Sequence, residues 1–182
     1  MKIIVPFAEG FEEIEGITIV DVLRRAGLDV TTAATGANPV AGSHRIPVVA
    51  DQKIASLTAS DYDCIILPGG MPGSDNLKND DTVLSFIKLI DSAGGYIAAL
   101  CAAPIVLAAA GVIAGKKVTC FPGFEQILSG ATYTGKPVEV DGRIITGRGP
   151  GCALPFAFEI VKLLAGESSK KQLISDMQAY WM

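Results

Sequence analysis

The fold is decided by residues 96–111, which read YIAALCAAPIVLAAAG. Tyr96–Leu100 is a short apolar run of the kind that forms a buried strand, and Ala102–Ala110 is an alanine-rich segment that ends at Gly111, as helices often do. Cys101 lies between the two, at a strand-to-helix elbow. A strand that leads directly into a helix is typical of βα units, so this stretch predicts a sheet whose faces are covered by helices.

The same stretch belongs to a longer run without charge, from Ser92 to Gly115, which is long enough to cross a bilayer. Glycines and Pro104 interrupt this run, and it consists largely of alanine, which partitions into membranes only weakly. A buried strand followed by a buried helix therefore explains the run better than a membrane span does.

Apolar runs alternate with segments of helical spacing along the rest of the chain. Further strands are expected at Lys2–Phe7, Asp29–Ala34, Ile46–Ala50, Asp63–Leu67 and Lys117–Cys120, and helices at Glu12–Ala26, Asp80–Ser92, Gly123–Leu128, Gly151–Leu164 and Ser168–Trp181. In the first helix, Ile14, Ile17 and Leu23 recur close to helical spacing. Asp141-Gly142 predicts a hairpin over Val138–Thr146. This alternation predicts one α/β domain with a mostly parallel sheet.

The composition excludes several classes of protein. The chain has 182 residues, of which 49% are hydrophobic and 19% charged, and this excludes a disordered chain. Its formal net charge is −4 and its basic residues are scattered, which argues against nucleic-acid binding and against a polybasic membrane patch. Its four cysteines form no C-x-x-C pair, and it has one histidine. A disulfide framework and a metal site are therefore disfavoured. Because the start of the sequence also lacks a signal-peptide pattern, a reducing, cytoplasmic setting is expected.

The chemistry is expected at one edge of the sheet, because ligands of parallel α/β sheets bind beyond the carboxyl ends of the strands. That rule selects the segments Ala8–Glu15, Pro68–Gly73 and Phe121–Phe124 together with the Cys101 elbow.

Two side chains in these segments carry candidate chemistry. A cysteine at a helix N-terminus is favoured as thiolate, so the pKa of Cys101 is expected below its ordinary value of about 8.5, although a small buried core residue is the alternative. Glu15 lies in the first turn of a helix, where most acidic residues are solvated, but Ile14 and Gly16 flank it. A partly buried carboxyl there would have a raised pKa and would donate a proton. The Gly69-Gly70 pair is either an anion-binding nest or an ordinary turn.

Five blocks of sequence resemble the ThiJ/PfpI family, in the branch of the parkinsonism-associated protein deglycase and its bacterial relatives. They fall in the family order and span nearly the whole chain: FAEGFEEIE at 7–15, DVLRRAG at 21–27, LPGG at 67–70, AALCAAP at 98–104 and TGRGPG at 146–151. The resemblance implies a single domain over residues 1–182 with the class I glutamine amidotransferase-like fold, a flavodoxin-like three-layer sandwich, and a homodimer.

The resemblance also assigns roles to individual residues. It implies that Cys101 is an oxidation-prone nucleophile with Glu15 as its partner, and that the backbone of Gly69, Gly70 and Ala102 contacts an oxyanion. Asp21 and Arg25 match the family's polar support near the site. His44 stands where the family often has an arginine that reaches the site of the partner subunit.

Three positions depart from branches of the family. Phe121 replaces a histidine that some members carry near the cysteine, and His44 is the only histidine of the chain, so a Cys-His pair is not expected. Ala102 stands where the protease branch has histidine, and Leu100 and Ala102 differ from the flanking glycines of the glutamine amidotransferases. Protease and amidotransferase activities are therefore disfavoured.

Two functions fit the same residues. The first is a cofactor-independent enzyme of the glyoxalase or deglycase type, which acts on small α-oxoaldehydes or their adducts with Cys101 as nucleophile and Glu15 as proton shuttle. The second is a non-enzymatic, redox-sensing or chaperone-like stress protein that works through oxidation of Cys101. An inert structural relative is disfavoured by the intact pair. Cys120 is either a resolving cysteine for Cys101 or, as we favour, a buried strand residue.

Overall fold

A seven-stranded sheet forms the centre of the protein, and the computed structural model describes residues 1–180. The strands are β1 (Lys2–Phe7), β2 (Asp29–Ala34), β3 (Val40–Ala41), β4 (Pro47–Val48), β5 (Gln52–Lys53), β6 (Cys64–Leu67), β7 (Tyr96–Leu100), β8 (Lys117–Val118), β9 (Thr132–Tyr133), β10 (Val138–Asp141) and β11 (Ile144–Gly147). The helices are α1 (Glu13–Arg25), α2 (Gly73–Lys78), α3 (Asp81–Ser92), α4 (Pro104–Ala110), α5 (Ala153–Ala165) and α6 (Glu167–Asp176).

The strand order of the central sheet is β10-β11-β7-β6-β1-β2-β5, and its only antiparallel pair in residues 1–180 is the hairpin β10–β11. The other neighbours are parallel, with Leu67 beside Ala99 and Leu100 beside Gly147. Two small two-stranded sheets, β3-β4 and β8-β9, lie outside it. The predicted α/β class with a mostly parallel sheet is confirmed.

Helices cover both faces of the sheet and enclose two separate cores. Because successive strand residues point to opposite faces, Ile3, Val5 and Phe7 pack against the helices of one face, whereas Ile4 packs into the other core. The first core lies under α1, α5 and α6, and the second under α2, α3 and α4. This three-layer arrangement leaves one edge of the sheet, where the parallel strands end, for the chemistry.

The strongly patterned elements have their predicted bounds, and the short ones are trimmed. β1, β2 and β7 match residue for residue, and Asp80 caps α3 by accepting the N–H groups of Thr82 and Val83. Four predicted elements were too long. Of the predicted strands, Ile46–Ala50 contains only β4 and Lys117–Cys120 contains only β8. Of the predicted helices, Gly123–Leu128 contains one 3₁₀ turn over Glu125–Ile127, and Ser168–Trp181 is helical only to Asp176, with Trp181 outside the described residues.

The helix after the elbow also begins later than predicted. It starts at Pro104 rather than Ala102, because proline supplies a helical φ at the first position and needs no N–H partner there. Residues 101–103 form a turn, and the helix ends at Gly111 in the left-handed conformation, as expected. The charge-free run from 92 to 115 is thus the end of α3, β7 and α4, and no helix within residues 1–180 is long and apolar enough to span a membrane.

The inner face of α1 differs from the apolar stripe in its sequence. Glu15, Ile19, Val22 and Leu23 are buried, whereas Ile14 is 60% exposed and Ile17 is 45% exposed. Val49, on the loop after β4, is also exposed. The helix therefore turns a carboxyl inward and two isoleucines outward.

Candidate active site

The carboxyl ends of β1, β6 and β7 and the loop after β8 meet at one edge of the sheet, as predicted. The Glu12 N–H donates to the Gly69 carbonyl at 2.8 Å, which joins the first two segments. The Cys101 N–H donates to the Gly147 carbonyl at 2.9 Å, and the Cys101 carbonyl accepts the Phe121 N–H at 2.8 Å. Cys101 is thus fixed by the backbone on both sides.

Cys101 sits in a strained backbone conformation. Its φ is +62°, in the left-handed region that residues other than glycine seldom adopt. Such strain persists only where the surroundings hold it, and it is concentrated at functional sites. The side chain is 8% exposed, so the sulfur is within reach of small molecules only.

Glu15 is fully buried, and its carboxyl is oriented by the backbone. Its Oε2 accepts the Gly69 N–H at 2.7 Å, while its Oε1 has no N–H or O–H partner among residues 1–180. Burial, together with the charge of Glu12, raises the pKa of Glu15 to about 7, although the Gly69 N–H and the Cys101 thiol oppose the shift. The expected raised pKa is therefore confirmed, and the carboxyl can take or give a proton near neutral pH.

The pKa of the Cys101 thiol is raised, not lowered as the sequence suggested. Burial, together with the charge and hydrogen bond of Glu15, raises this pKa to about 12. The N–H groups of Gly70 and Ala102 favour the thiolate and oppose the shift. The expectation was wrong for two reasons. The helix begins three residues beyond Cys101, and an acid is the nearest titrating group. A thiol of this kind loses its proton only when a base accepts it.

The three backbone groups predicted to contact an oxyanion divide between two roles. The Gly69 N–H donates to Glu15 in this structure, so this residue positions the carboxyl, and its oxyanion contact stays a prediction. The N–H groups of Gly70 and Ala102 instead lower the pKa of the Cys101 thiol, because they favour the negative charge of its thiolate.

Both glycines are also required by space. A Cβ atom on Gly69 would come within 2.6 Å of the Cys101 Cβ. Gly70 has a φ of +91°, and a Cβ atom on it would come within 2.3 Å of the Glu12 nitrogen. The LPGG segment is therefore packed directly against the reactive pair.

The three residues expected to support the site lie on the surface, Asp21 and Arg25 in α1 and His44 on the loop after β3. Asp21 and Arg25 form an ion pair of 2.7 Å, one helical turn apart, and each is about half exposed. They contact one another rather than Cys101. His44 has a raised pKa because the Glu13 carboxylate accepts its ring N–H, with further effects of Glu12 and Glu13 charge.

Glu13 is a buried acid that sequence reasoning missed. Its carboxylate accepts the N–H groups of His44 at 2.8 Å and Ile46 at 3.3 Å, and the Ser43 hydroxyl at 3.2 Å. Burial raises its pKa, but these hydrogen bonds prevail and hold it at about 2. Glu13 therefore holds the loop after β3 against α1. The sequence showed Glu13 only as one of several acidic residues at the start of the helix, which did not indicate that it is buried.

Glu12, Glu13 and His44 are also the one group within residues 1–180 whose ligand atoms lie close enough for a metal, within 4.8 Å of one another. Their polar atoms already pair with each other and with Ser43. We therefore treat the group as a structural cluster.

The other cysteines lie in structural positions. Cys120 is fully buried and packs in the core under α3 and α4, whereas Cys101 packs in the opposite core. This placement supports a core role for Cys120 over a resolving one. Cys64 is fully buried in β6, and Cys152 is half-buried before α5.

Comparison with known proteins shows the family to which the chain belongs. Residues 1–163 match the DJ-1/PfpI family. The chain is 40% identical to protein DJ-1 homolog B of Arabidopsis thaliana over 91% of its length, although it spans only 39% of that relative. It is 39% identical to protein dj-1beta of Drosophila melanogaster, covering 93% of the chain and 92% of the relative. It is 35% identical to the glutathione-independent glyoxalase DJR-1.2 of Caenorhabditis elegans, covering 93% and 91%.

Solved structures share the whole fold. Drosophila melanogaster DJ-1beta superposes with a TM-score of 0.93 at 39% identity, covering 98% of each chain. Oxidised DJ-1 of Toxoplasma gondii gives a TM-score of 0.93 at 33% identity, covering 97% of each. The flavodoxin-like sandwich and the resemblance read from the five sequence blocks are thereby confirmed, and the chain belongs to the DJ-1/PfpI family.

Proposed function

We propose that this protein is a cofactor-independent glyoxalase, which converts small α-oxoaldehydes to α-hydroxy acids, with adducts of such aldehydes on amines or thiols as further substrates. The observation that carries the proposal is the contact of a buried, backbone-oriented Glu15 with the Cys101 thiol, beside two N–H groups. A relative named a glutathione-independent glyoxalase supports the same reaction class.

The first step depends on the raised pKa of both Glu15 and Cys101, because the thiol keeps its proton until the carboxylate accepts it. The Glu15 carboxylate takes the thiol proton as the sulfur bonds to the aldehyde carbon, and it then gives that proton to the aldehyde oxygen, which leaves a hemithioacetal and restores the carboxylate. The N–H groups of Gly70 and Ala102 hold that oxygen while it carries charge.

The second step moves hydrogen between the two carbons of the substrate. Glu15 removes the proton from the former aldehyde carbon, giving an enediol, and a proton returns to the neighbouring carbon, so that the thiol ester of a hydroxy acid remains. Water then cleaves the ester, and the thiol proton is restored. One aldehyde and one water give one hydroxy acid, with no external oxidant or reductant.

The test is lactate formation from methylglyoxal without glutathione. Purified wild type should form lactate, Cys101→Ser and Glu15→Gln should not, and Cys152→Ser, which changes another accessible cysteine, should retain activity. Activity that survives Cys101→Ser would identify a different nucleophile, and inactive, freshly reduced wild type would refute the proposal.

The second candidate is a redox function, favoured by the same carboxyl in its protonated form. Near neutral pH, Glu15 can donate a hydrogen bond to a sulfinate formed on Cys101. Intact mass after graded peroxide treatment tests it: oxidation should stop at two added oxygen atoms in wild type and proceed to three in Glu15→Ala. The same oxidation course in both would refute this role of Glu15.

We further propose a homodimer in the cytoplasm. The exposed Ile14 and Ile17 support a partner surface on α1, because apolar side chains on one exposed helix favour burial. All four cysteines are free, which fits a reducing compartment.

A further inference from the structure

Phe121 is an aromatic residue left open to solvent directly beside the reactive cysteine. Its side chain is 43% exposed, whereas that of Cys101 is 8% exposed. The Phe121 N–H donates to the Cys101 carbonyl at 2.8 Å, so only one hydrogen bond separates the two backbones.

The ring is held in place from two directions. The Phe121 carbonyl accepts the Phe124 N–H at 3.2 Å, which closes a turn and, with the bond to Cys101, fixes the backbone. On the other side the ring rests on Gly149, where a Cβ atom would lie 3.1 Å from the Phe121 Cδ2.

Gly149 supplies space for the ring rather than a special backbone conformation. Its φ of 172° is extended and open to any residue, so the missing Cβ is what admits the ring. Gly149 follows Gly147, whose carbonyl accepts the Cys101 N–H. The ring therefore packs against the segment after β11, two residues beyond the carbonyl that accepts the Cys101 N–H.

The surroundings of the ring favour apolar groups. Phe121 offers no side-chain hydrogen bond, and its exposed surface gains free energy when an apolar group covers it. The charges nearest in sequence are of both signs, since Glu125 lies in the same turn and Arg148 precedes Gly149, so the apolar surface of the ring is what discriminates between substituents.

We propose that Phe121 is the specificity-determining residue of this site, selecting α-oxoaldehydes whose carbonyl substituent is apolar, aromatic ones above all. The assignment rests on the proposed glyoxalase function. Glu15 is fully buried, so a substrate bound through its aldehyde carbon to the Cys101 sulfur extends its substituent away from that carboxyl, and Phe121 is the exposed apolar residue joined by its N–H to the Cys101 carbonyl.

The direct test compares kcat/KM for phenylglyoxal and methylglyoxal. Phe121→Ala should lower the phenylglyoxal-to-methylglyoxal ratio by about threefold to tenfold, the range of one aromatic pair, and act mainly through KM. Phe121→Leu should fall between, and Leu89→Ala, which shortens a 52% exposed apolar residue of α3, should leave the ratio unchanged. An unchanged ratio in Phe121→Ala overturns the proposal.

A second measurement decides the role of Phe121 without turnover. Phenacyl bromide and bromoacetone carry the phenyl and methyl groups of the two aldehydes on their carbonyl carbon. Each alkylates the thiol: the S–C bond forms, bromide leaves with its electron pair, and the thiol proton passes to Glu15 or water. Peptide mass spectrometry measures the reaction at Cys101 separately from Cys152. The phenacyl-to-acetonyl rate ratio should fall in Phe121→Ala by a similar factor. A protein that converts neither aldehyde refutes the glyoxalase function alone, whereas an unchanged alkylation ratio refutes the role of Phe121.

Discussion

The carboxyl of Glu15 accepts the N–H of Gly69 at 2.7 Å, and this bond turns the only fully buried acid among residues 1–180 toward Cys101. Gly69 belongs to a strand-end turn 54 positions further along the chain. The reactive pair is therefore built by three separate segments, and its protonation depends on all of them.

The pH dependence of the reaction should follow Glu15. Because Glu15 acts as the base, the deprotonated carboxyl is the active form, and its pKa is about 7. We expect kcat/KM for methylglyoxal to rise with pH through about 7 and to level off above it, since the thiol itself stays protonated until far higher pH. Stopped assays between pH 5.5 and 9 in buffers of constant ionic strength measure this; a profile that is flat across neutrality would contradict the assigned role.

Glu15 should also lower the stability of the protein above neutral pH. Its folded pKa of about 7 exceeds the ordinary value of 4.5, so the folded state binds this proton more tightly, and stability is lost as pH rises through that window. Glu15→Gln keeps an acceptor for the Gly69 N–H and removes the charge. We expect it to raise the free energy of unfolding by about 3 kcal/mol at pH 8 and by little at pH 4.5, from the size of the shift.

Urea unfolding of wild type and Glu15→Gln at both pH values measures the difference. Glu9→Gln, on an exposed acid in the loop before α1, is the control and should change stability at neither pH. Equal gains for Glu15→Gln at pH 4.5 and pH 8 would show that the pKa of Glu15 is the same in the folded and unfolded states, and would contradict the raised value.

The fold was predictable because its signals are local. β1 and β7 are uninterrupted apolar runs, and the hairpin at Asp141-Gly142 depends on a turn that two residues specify. The elements that were trimmed, such as β4 and β8, are too short to carry a periodicity and are defined by their partners in space.

The site was predictable in its residues and not in its electrostatics. Cys101 and Glu15 were found from position and resemblance, but the direction of the thiol pKa depends on burial and on the carboxyl beside it, which are tertiary. Glu13 was missed for the same reason, since its partners His44 and Ile46 lie about 30 positions away.

The two glycines with positive φ at positions 27 and 70 allow backbone strain to be separated from crowding. Gly27 has a φ of +73° with nothing within 4 Å of an added Cβ, whereas Gly70 has a φ of +91° and an added Cβ 2.3 Å from the Glu12 nitrogen. Gly27→Ala should cost about 1 kcal/mol of stability from the left-handed conformation alone. Gly70→Ala should cost more than about 3 kcal/mol, and it should abolish lactate formation by moving the Gly70 N–H from Cys101. Denaturant unfolding of both variants measures this, and equal losses would mean that the LPGG segment shifts freely.

The exposed isoleucines of α1 allow the proposed homodimer to be tested. In a two-fold dimer each interface residue occurs once in each subunit, so a charge placed at Ile14 or Ile17 enters the interface at two symmetric points. Burial of one large aliphatic side chain contributes about 1.5–3 kcal/mol, so Ile17→Glu should weaken the dimer by about a hundredfold or more in Kd. Sedimentation velocity across a dilution series measures the shift from dimer to monomer. Leu89→Glu, which places the same charge at a 52% exposed leucine of α3, should leave the dimer intact. If Ile17→Glu sediments as wild type while Leu89→Glu dissociates, the partner surface lies on the α3 side of the sheet, and the apolar face of α1 has a different role.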